Sequence, residues 1–115
     1  MNNFIERMTY QAGDFVFKEG DQANSAFIIQ SGVVEIVKRQ DEDYKTLAEI
    51  PEGGIFGEMA LIDDAPRSAG ARMKKGGTLV VVNRGTFEEK LKKTDPFIRT
   101  LLKIFVETIR RQQNS

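Results

Sequence analysis

Neither cysteine nor histidine occurs in this 115-residue chain. Without cysteine there is no disulfide, no thiolate metal ligand and no Cys nucleophile, so the fold is indifferent to the redox state of its compartment. Without histidine the usual imidazole-rich metal sites, a Ser-His-Asp triad and an imidazole general base are all excluded. No apolar run approaches the length of a membrane span. The N-terminal Met1-Asn2-Asn3-Phe4-Ile5-Glu6-Arg7 lacks the basic region and apolar stretch of a signal peptide. The expectation is a soluble, cytoplasmic protein with no membrane partner. At 40% hydrophobic composition the chain can supply one core but hardly two, so residues 1–115 are read as one domain with no room for an appended catalytic one.

Net charge is zero, yet it is unevenly spread. Residues 1–83 carry 9 Lys+Arg against 13 Asp+Glu, whereas residues 84–115 carry 8 against 4. In the basic half, Glu88, Glu89, Asp95 and Glu107 interrupt the positive charges, and no helix-turn-helix pattern follows. An ordinary solvated helix face is therefore favoured over a nucleic-acid surface.

Hydrophobic patterning divides the chain in two. Residues 2–8 read as a short opening helix, with Phe4, Ile5 and Met8 on one side. Short β-like runs follow at Phe15–Lys18, Ala26–Gln30, Val33–Lys38, Lys45–Ile50, Ser68–Met73 and Thr78–Arg84, punctuated by Gly and Asp. Arg39–Asp43 reads as an exposed hairpin loop without calcium-loop spacing. Many short strands between turns predict a mainly β sandwich or jelly roll of about eight strands, spanning residues 10–84. From Gly85 the period becomes helical. Thr86 is placed to cap a helix through Lys93, with Glu88 and Glu89 in its first turn. Asp95-Pro96 restarts a second helix, and the helical part runs over 86–113. There Ile98, Leu101, Leu102, Phe105 and Ile109 form an apolar stripe, widened by Ile104 and Val106. It either packs on the β-roll or meets a ligand base or a partner chain.

The chemistry concentrates between Gly53 and Ala71. Glycines 53, 54 and 57 allow a tight backbone path into a short helix-compatible run, Glu58 to Ile62. N–H groups at such a helix start lack intrahelical partners and can cradle a phosphate. Arg67, stiffened by Pro66, brings a guanidinium fork suited to phosphate oxygens, and the carboxylate of Glu58 suits sugar hydroxyls. Together they describe a sugar phosphate. Each residue also has a plainer reading: Glu58 as a helix cap, Arg67 as a salt-bridge partner of Glu58 or Asp64, Gly57 as a turn glycine.

Phe56-Gly57-Glu58-Met59-Ala60-Leu61 followed by Pro66-Arg67-Ser68-Ala69 resembles the phosphate-binding cassette of the cyclic nucleotide-binding domain family. Ala12-Gly13-Asp14, Gly20-Asp21 and Phe27–Val34 stand where that family carries its early strand and turn signatures, so the resemblance covers roughly residues 10–90. It implies a double-stranded β-helix, a jelly-roll-like β-roll, with a short cassette helix and C-terminal helices. It also implies a ligand, cAMP or cGMP, and no cofactor or metal. The phosphate would be held by Gly57, Met59, Ala60, Arg67, Ser68 and Ala69, and the ribose by Gly57 and Glu58. Ser68 can serve an equatorial phosphate oxygen or the 2-amino group of guanine; the reading leans to cAMP. Gly70-Ala71-Arg72 departs from the β-branched pair common in the family, which leaves purine selectivity open. Ala48, Ile50 and Ala71 are the candidate base-side residues, and Arg99, Arg110 or Arg111 could stack as a lid.

The expected function is that of a non-catalytic receptor whose C-terminal helices move on binding and are read by another chain, a second copy or an effector. A metal enzyme of the cupin type would share the architecture but normally needs histidines. A structural module that keeps the fold and not the ligand is the rival reading. The start at Met1 is expected of a free-standing protein, although a segment of a longer channel, transporter or kinase would look the same.

Overall fold

The computed structural model describes residues 6–113. Two antiparallel four-stranded sheets face one another. The first has the order β1 (Glu6–Tyr10), β8 (Gly77–Asn83), β3 (Ser25–Ile29), β6 (Ile55–Phe56); the second, β2 (Phe15–Phe17), β7 (Gly70–Lys75), β4 (Val33–Gln40), β5 (Asp43–Ile50). A short helix α1 (Met59–Ile62) separates β6 from β7, and α2 (Arg84–Lys92) and α3 (Pro96–Gln113) follow the roll. The mainly β fold with flanking helices agrees with the pattern of short runs.

Alternation along the strands builds the core. Phe27, Ile29, Phe56, Leu79 and Val81 from the first sheet meet Val34, Ala71 and Met73 from the second. Phe27 stacks on Phe56 with ring centroids 5.2 Å apart, adding directional ring contact to plain burial. A second, smaller cluster of Ala23, Ala26, Ala60 and Leu61, with Val82 and Phe87 packed on it, fastens α1 and α2 to the first sheet. Gly32, at φ +98°, makes the turn into β4; a Cβ there would lie 2.7 Å from the Lys75 carbonyl oxygen. β5 lies at an edge of its sheet, and most of its residues are exposed.

Four local expectations are corrected. Residues 6–8 belong to β1, not to an opening helix, because they pair with β8 in a register running from Glu6 opposite Val81 to Tyr10 opposite Gly77; residues 2–5 lie outside the described span. The loop expected at 39–43 shrinks to Asp41-Glu42, since β4 runs to Gln40 and β5 starts at Asp43, with Asp41 at φ +57° making the turn. Asn83, not Thr86, caps α2: its Oδ1 accepts from the Thr86 N–H at 2.8 Å, and no acidic residue sits in the first turn. The fourth concerns α3, whose start matches expectation, with Asp95 Oδ1 accepting from the Phe97 N–H at 2.8 Å. Of the two readings of its apolar stripe, packing on the β-roll does not hold for most of it. Val106 is the fully buried residue, while Ile98, Phe105 and Ile109 are exposed together with Phe97 and Ile104. Among the described residues no helix is long and apolar enough to cross a membrane.

Candidate functional site

Gly57 occupies the bend between β6 and α1 at φ +81°, a conformation that costs glycine nothing. A Cβ there would come within 3.1 Å of Arg67 Nη1, 3.2 Å of Phe17 and 3.3 Å of Phe27. The backbone can approach because the side chain is missing. Glu58 takes the N-cap position of α1, but its side chain makes no capping hydrogen bond. Leu61 and Ile62 donate to the Glu58 carbonyl at 3.1 and 3.2 Å. The first-turn N–H groups of Met59 and Ala60 are those a helix leaves without an internal partner.

Arg67 is the centre of the arrangement. It is 6% exposed, the one buried charged side chain among the described residues. Nη1 donates to the Gly57 carbonyl and Nη2 to the Ser25 carbonyl, each at 2.6 Å. Its Nε is shielded from solvent and has no hydrogen-bond partner among the described residues. The guanidinium carbon lies 3.9 Å from the centre of the Phe17 ring, a cation–π placement. Burial pushes its pKa down to about 10, with Asp21 opposing, so the charge persists at neutral pH. The alternative of a salt bridge to Glu58 or Asp64 does not hold, because Asp64 pairs with Arg84 at 3.1 Å and neither carboxylate reaches Arg67. A buried cation held by neutral carbonyls, beside an unused donor, is poised for an anion. Burial also raises the pKa of Glu58, against a hydrogen bond from its own backbone and the nearby Arg67 charge.

These groups share one cavity of about 310 Å³. Its wall contains Gly57, Glu58, Met59, Ala60, Arg67, Ser68 and Ala69, with Ala48 and Ile50 from β5. Every phosphate, ribose and base-side residue expected from the sequence is there except Ala71. Ala71 points into the core, packed in the same cluster as Val34, Phe56 and Met73, with no exposed surface left to offer a base. Strand alternation explains it: Ala71 and Met73 share the inward face of β7. Of the three lid arginines, only Arg110 lines this cavity. It is held on Asp63, just past α1, by Nε to Oδ2 and by Nη2 to Oδ1 at 3.2 Å. Arg99 lines a different groove, and Arg111 donates to Thr108 Oγ1 at 3.4 Å.

Sequence reasoning missed much of the apolar lining, Phe17, Ile36, Leu47, Ile55 and Phe56, while Ile109 comes from the α3 stripe for which a ligand contact was one reading. Alternation could not have placed Phe17, because the register of β2 shifts between Phe15 and Phe17, and Phe17 packs on the core while Phe15 meets Tyr44. The others come together only through sheet pairing.

A two-sheet roll with a glycine-gated helix, a buried arginine and an apolar slot defines a receptor fold for a small anionic ligand with an apolar part. The chain belongs to the cyclic nucleotide-binding domain family, whose model matches residues 7–94. It is 37% identical over 92 residues to a cGMP-dependent protein kinase of Plasmodium berghei (strain Anka), covering 80% of this chain and 10% of that protein. It is 35% identical over 101 residues to a cAMP-dependent protein kinase regulatory subunit of Dictyostelium discoideum, covering 87% of this chain and 31% of that one. Among solved structures, the cAMP-bound form of the EAL enzyme Bd1971 matches with a TM-score of 0.89 and 31% identity, over 94% of this chain and 29% of that one. The chain thus spans a third or less of each of these relatives.

Proposed function

We propose that this domain is a non-catalytic receptor for a 3′,5′-cyclic purine nucleotide, cAMP in preference to cGMP. The observation that carries the proposal is Arg67: a desolvated guanidinium with no carboxylate partner and a free Nε, on the wall of a cavity that also holds Glu58 and the start of α1. The cyclic phosphate would take the Arg67 fork, the N–H groups of Met59 and Ala60, and contacts at Gly57, Ser68 and Ala69. Glu58 would accept from the ribose 2′-OH, with Gly57 giving the sugar room. The base would lie along Ala48 and Ile50, within reach of Ile109 and Arg110. Relatives named for both nucleotides support a cyclic purine ligand.

The proposal keeps the cytoplasmic setting expected from the sequence, and treats residues 1–115 as one receptor unit. Its output is movement of α2 and α3, read by an effector or by a second copy. The exposed apolar surface of α3, with Phe97 at 70% and Phe105 at 53% exposure, supports a protein contact there.

Titration calorimetry of the nucleotide-stripped chain with cAMP, cGMP and 5′-AMP tests the reading. Micromolar or tighter binding of a cyclic nucleotide, about −8 kcal/mol or better, is expected. The dianionic linear phosphate of AMP should bind far more weakly. Equal affinity for cAMP and AMP would sink the assignment. No detectable binding of either cyclic nucleotide would favour the structural-module reading.

A further inference from the structure

We propose that a second cavity, on the far side of the cassette helix, docks an acidic amphipathic peptide segment of a partner protein. This groove of about 550 Å³ lies between α1, α2 and α3. Leu61 and Ile62 from α1 and Leu91 from α2 give it an apolar floor, and Arg84, Lys92, Arg99 and Lys103 bring cations to its walls.

The charges are asymmetric along it. The two carboxylates on the wall, Asp64 and Glu88, both lie against Arg84, at 3.1 and 3.9 Å, so that end carries two acids against one cation. Lys92, Arg99 and Lys103 make no ion pair among the described residues. Arg99 Nε is shielded from solvent and has no hydrogen-bond partner there. Arg99 and Lys103 are also neighbours at the i, i+4 spacing, where like charges repel. An incoming carboxylate relieves that repulsion and supplies the missing acceptor.

Charge complementarity therefore selects an acidic occupant, and the leucine–isoleucine floor selects one that also carries apolar side chains. The fixed carboxylates at the Arg84 end oppose an evenly charged phosphate backbone, which would have to run past them. Nucleic acid is thereby disfavoured against a peptide with its acids at one end.

The test is a titration of the ¹⁵N-labelled full chain with a synthetic peptide made of Glu and Leu, leucines at helical spacing, followed by amide chemical shifts. Saturable shifts should appear at residues 61–64 and 84–103. The double variant Lys92→Glu/Lys103→Glu should lose affinity about ten-fold or more. Both side chains are exposed, so the variant should keep the parent spectrum elsewhere, and Lys92→Gln/Lys103→Gln offers a milder version if it does not. The proposal is overturned by an absence of shifts in the groove, or by equal binding of a Lys-for-Glu peptide. Undiminished binding by the charge-reversed variant overturns it too, as does a DNA oligonucleotide that shifts the same amides at lower concentration than the peptide.

Discussion

At the scale of single residues, Arg67 and Glu58 form an asymmetric pair. Arg67 is desolvated and leans on two backbone carbonyls and a phenylalanine ring. Arg67→Ala should therefore weaken cyclic nucleotide binding by several kcal/mol, roughly 2–5, because the ligand's charge would enter a partly dry site without its partner; calorimetry reads this directly. Glu58→Gln should cost less, about 1–3 kcal/mol, and chiefly for ligands that retain a 2′-OH. If cAMP and 2′-deoxy-cAMP lose equal affinity in that variant, Glu58 is not the ribose acceptor. The raised pKa of Glu58 adds a pH signature. A carboxyl whose folded-state pKa lies above its unfolded value holds its proton more tightly when folded, so its contribution to stability grows as pH falls through that interval. Ligand affinity should move the other way, because the hydroxyl-accepting carboxylate is being lost. Affinity measured from neutral pH downward should decline in the parent chain and stay flatter in Glu58→Gln.

At the scale of elements, α1 is a four-residue helix with two clients. Met59 and Ala60 line the Arg67 cavity, and Leu61 and Ile62 line the groove behind it. Asp63 and Asp64, at its end, are tied to Arg110 of α3 and Arg84 of α2. A displacement of α1 would pull on α3 through the shielded Arg110–Asp63 pair, whereas the Arg84–Asp64 pair, with Asp64 largely exposed, would pass little to α2. Asp63→Asn should loosen the α3 attachment and speed amide exchange over residues 97–113, leaving the β8 amides protected; hydrogen exchange by mass spectrometry checks it. The element scale also shows what the sequence could and could not say. Strands β2 to β5, β7 and β8 were legible because their apolar residues and turn glycines are local signals, and the cassette was legible because its residues are contiguous. β1 was misread because Glu6–Tyr10 is mostly exposed and held only by pairing with β8, some seventy residues away. Ala71 was misplaced for a related reason: which side of β7 faces the core is set by its partners β2 and β4. On α3 the apolar stripe was real and included Val106 at its margin, but that Val106 is the buried position goes with the Arg110–Asp63 pair, which periodicity does not show.

At the scale of the whole molecule, ligand binding should change exchange across residues 86–113 while β8, central in its sheet between β1 and β3, stays protected in both states. Removing residues 97–115 should weaken nucleotide binding, since Ile109 and Arg110 leave the cavity wall with them. A truncated chain that binds as tightly as the full one, with exchange changing only over residues 57–69, would show that the helices are not the switch. The edge position of β5 has a separate bearing on how copies of the chain coexist at high concentration. With a formal net charge of 0 and an isoelectric point near 6.3, the molecule has almost no long-range repulsion at neutral pH to keep its copies apart. Colloidal stability must then come from short-range obstacles where an open strand edge invites another to pair, and Asp43, Lys45 and Glu49 along β5 are such obstacles. Replacing Lys45 and Asp43 together by threonine leaves the formal charge at zero and spares the Lys74–Glu49 ion pair, so solutions of that variant should scatter more light on standing than those of the parent, most of all near pH 6.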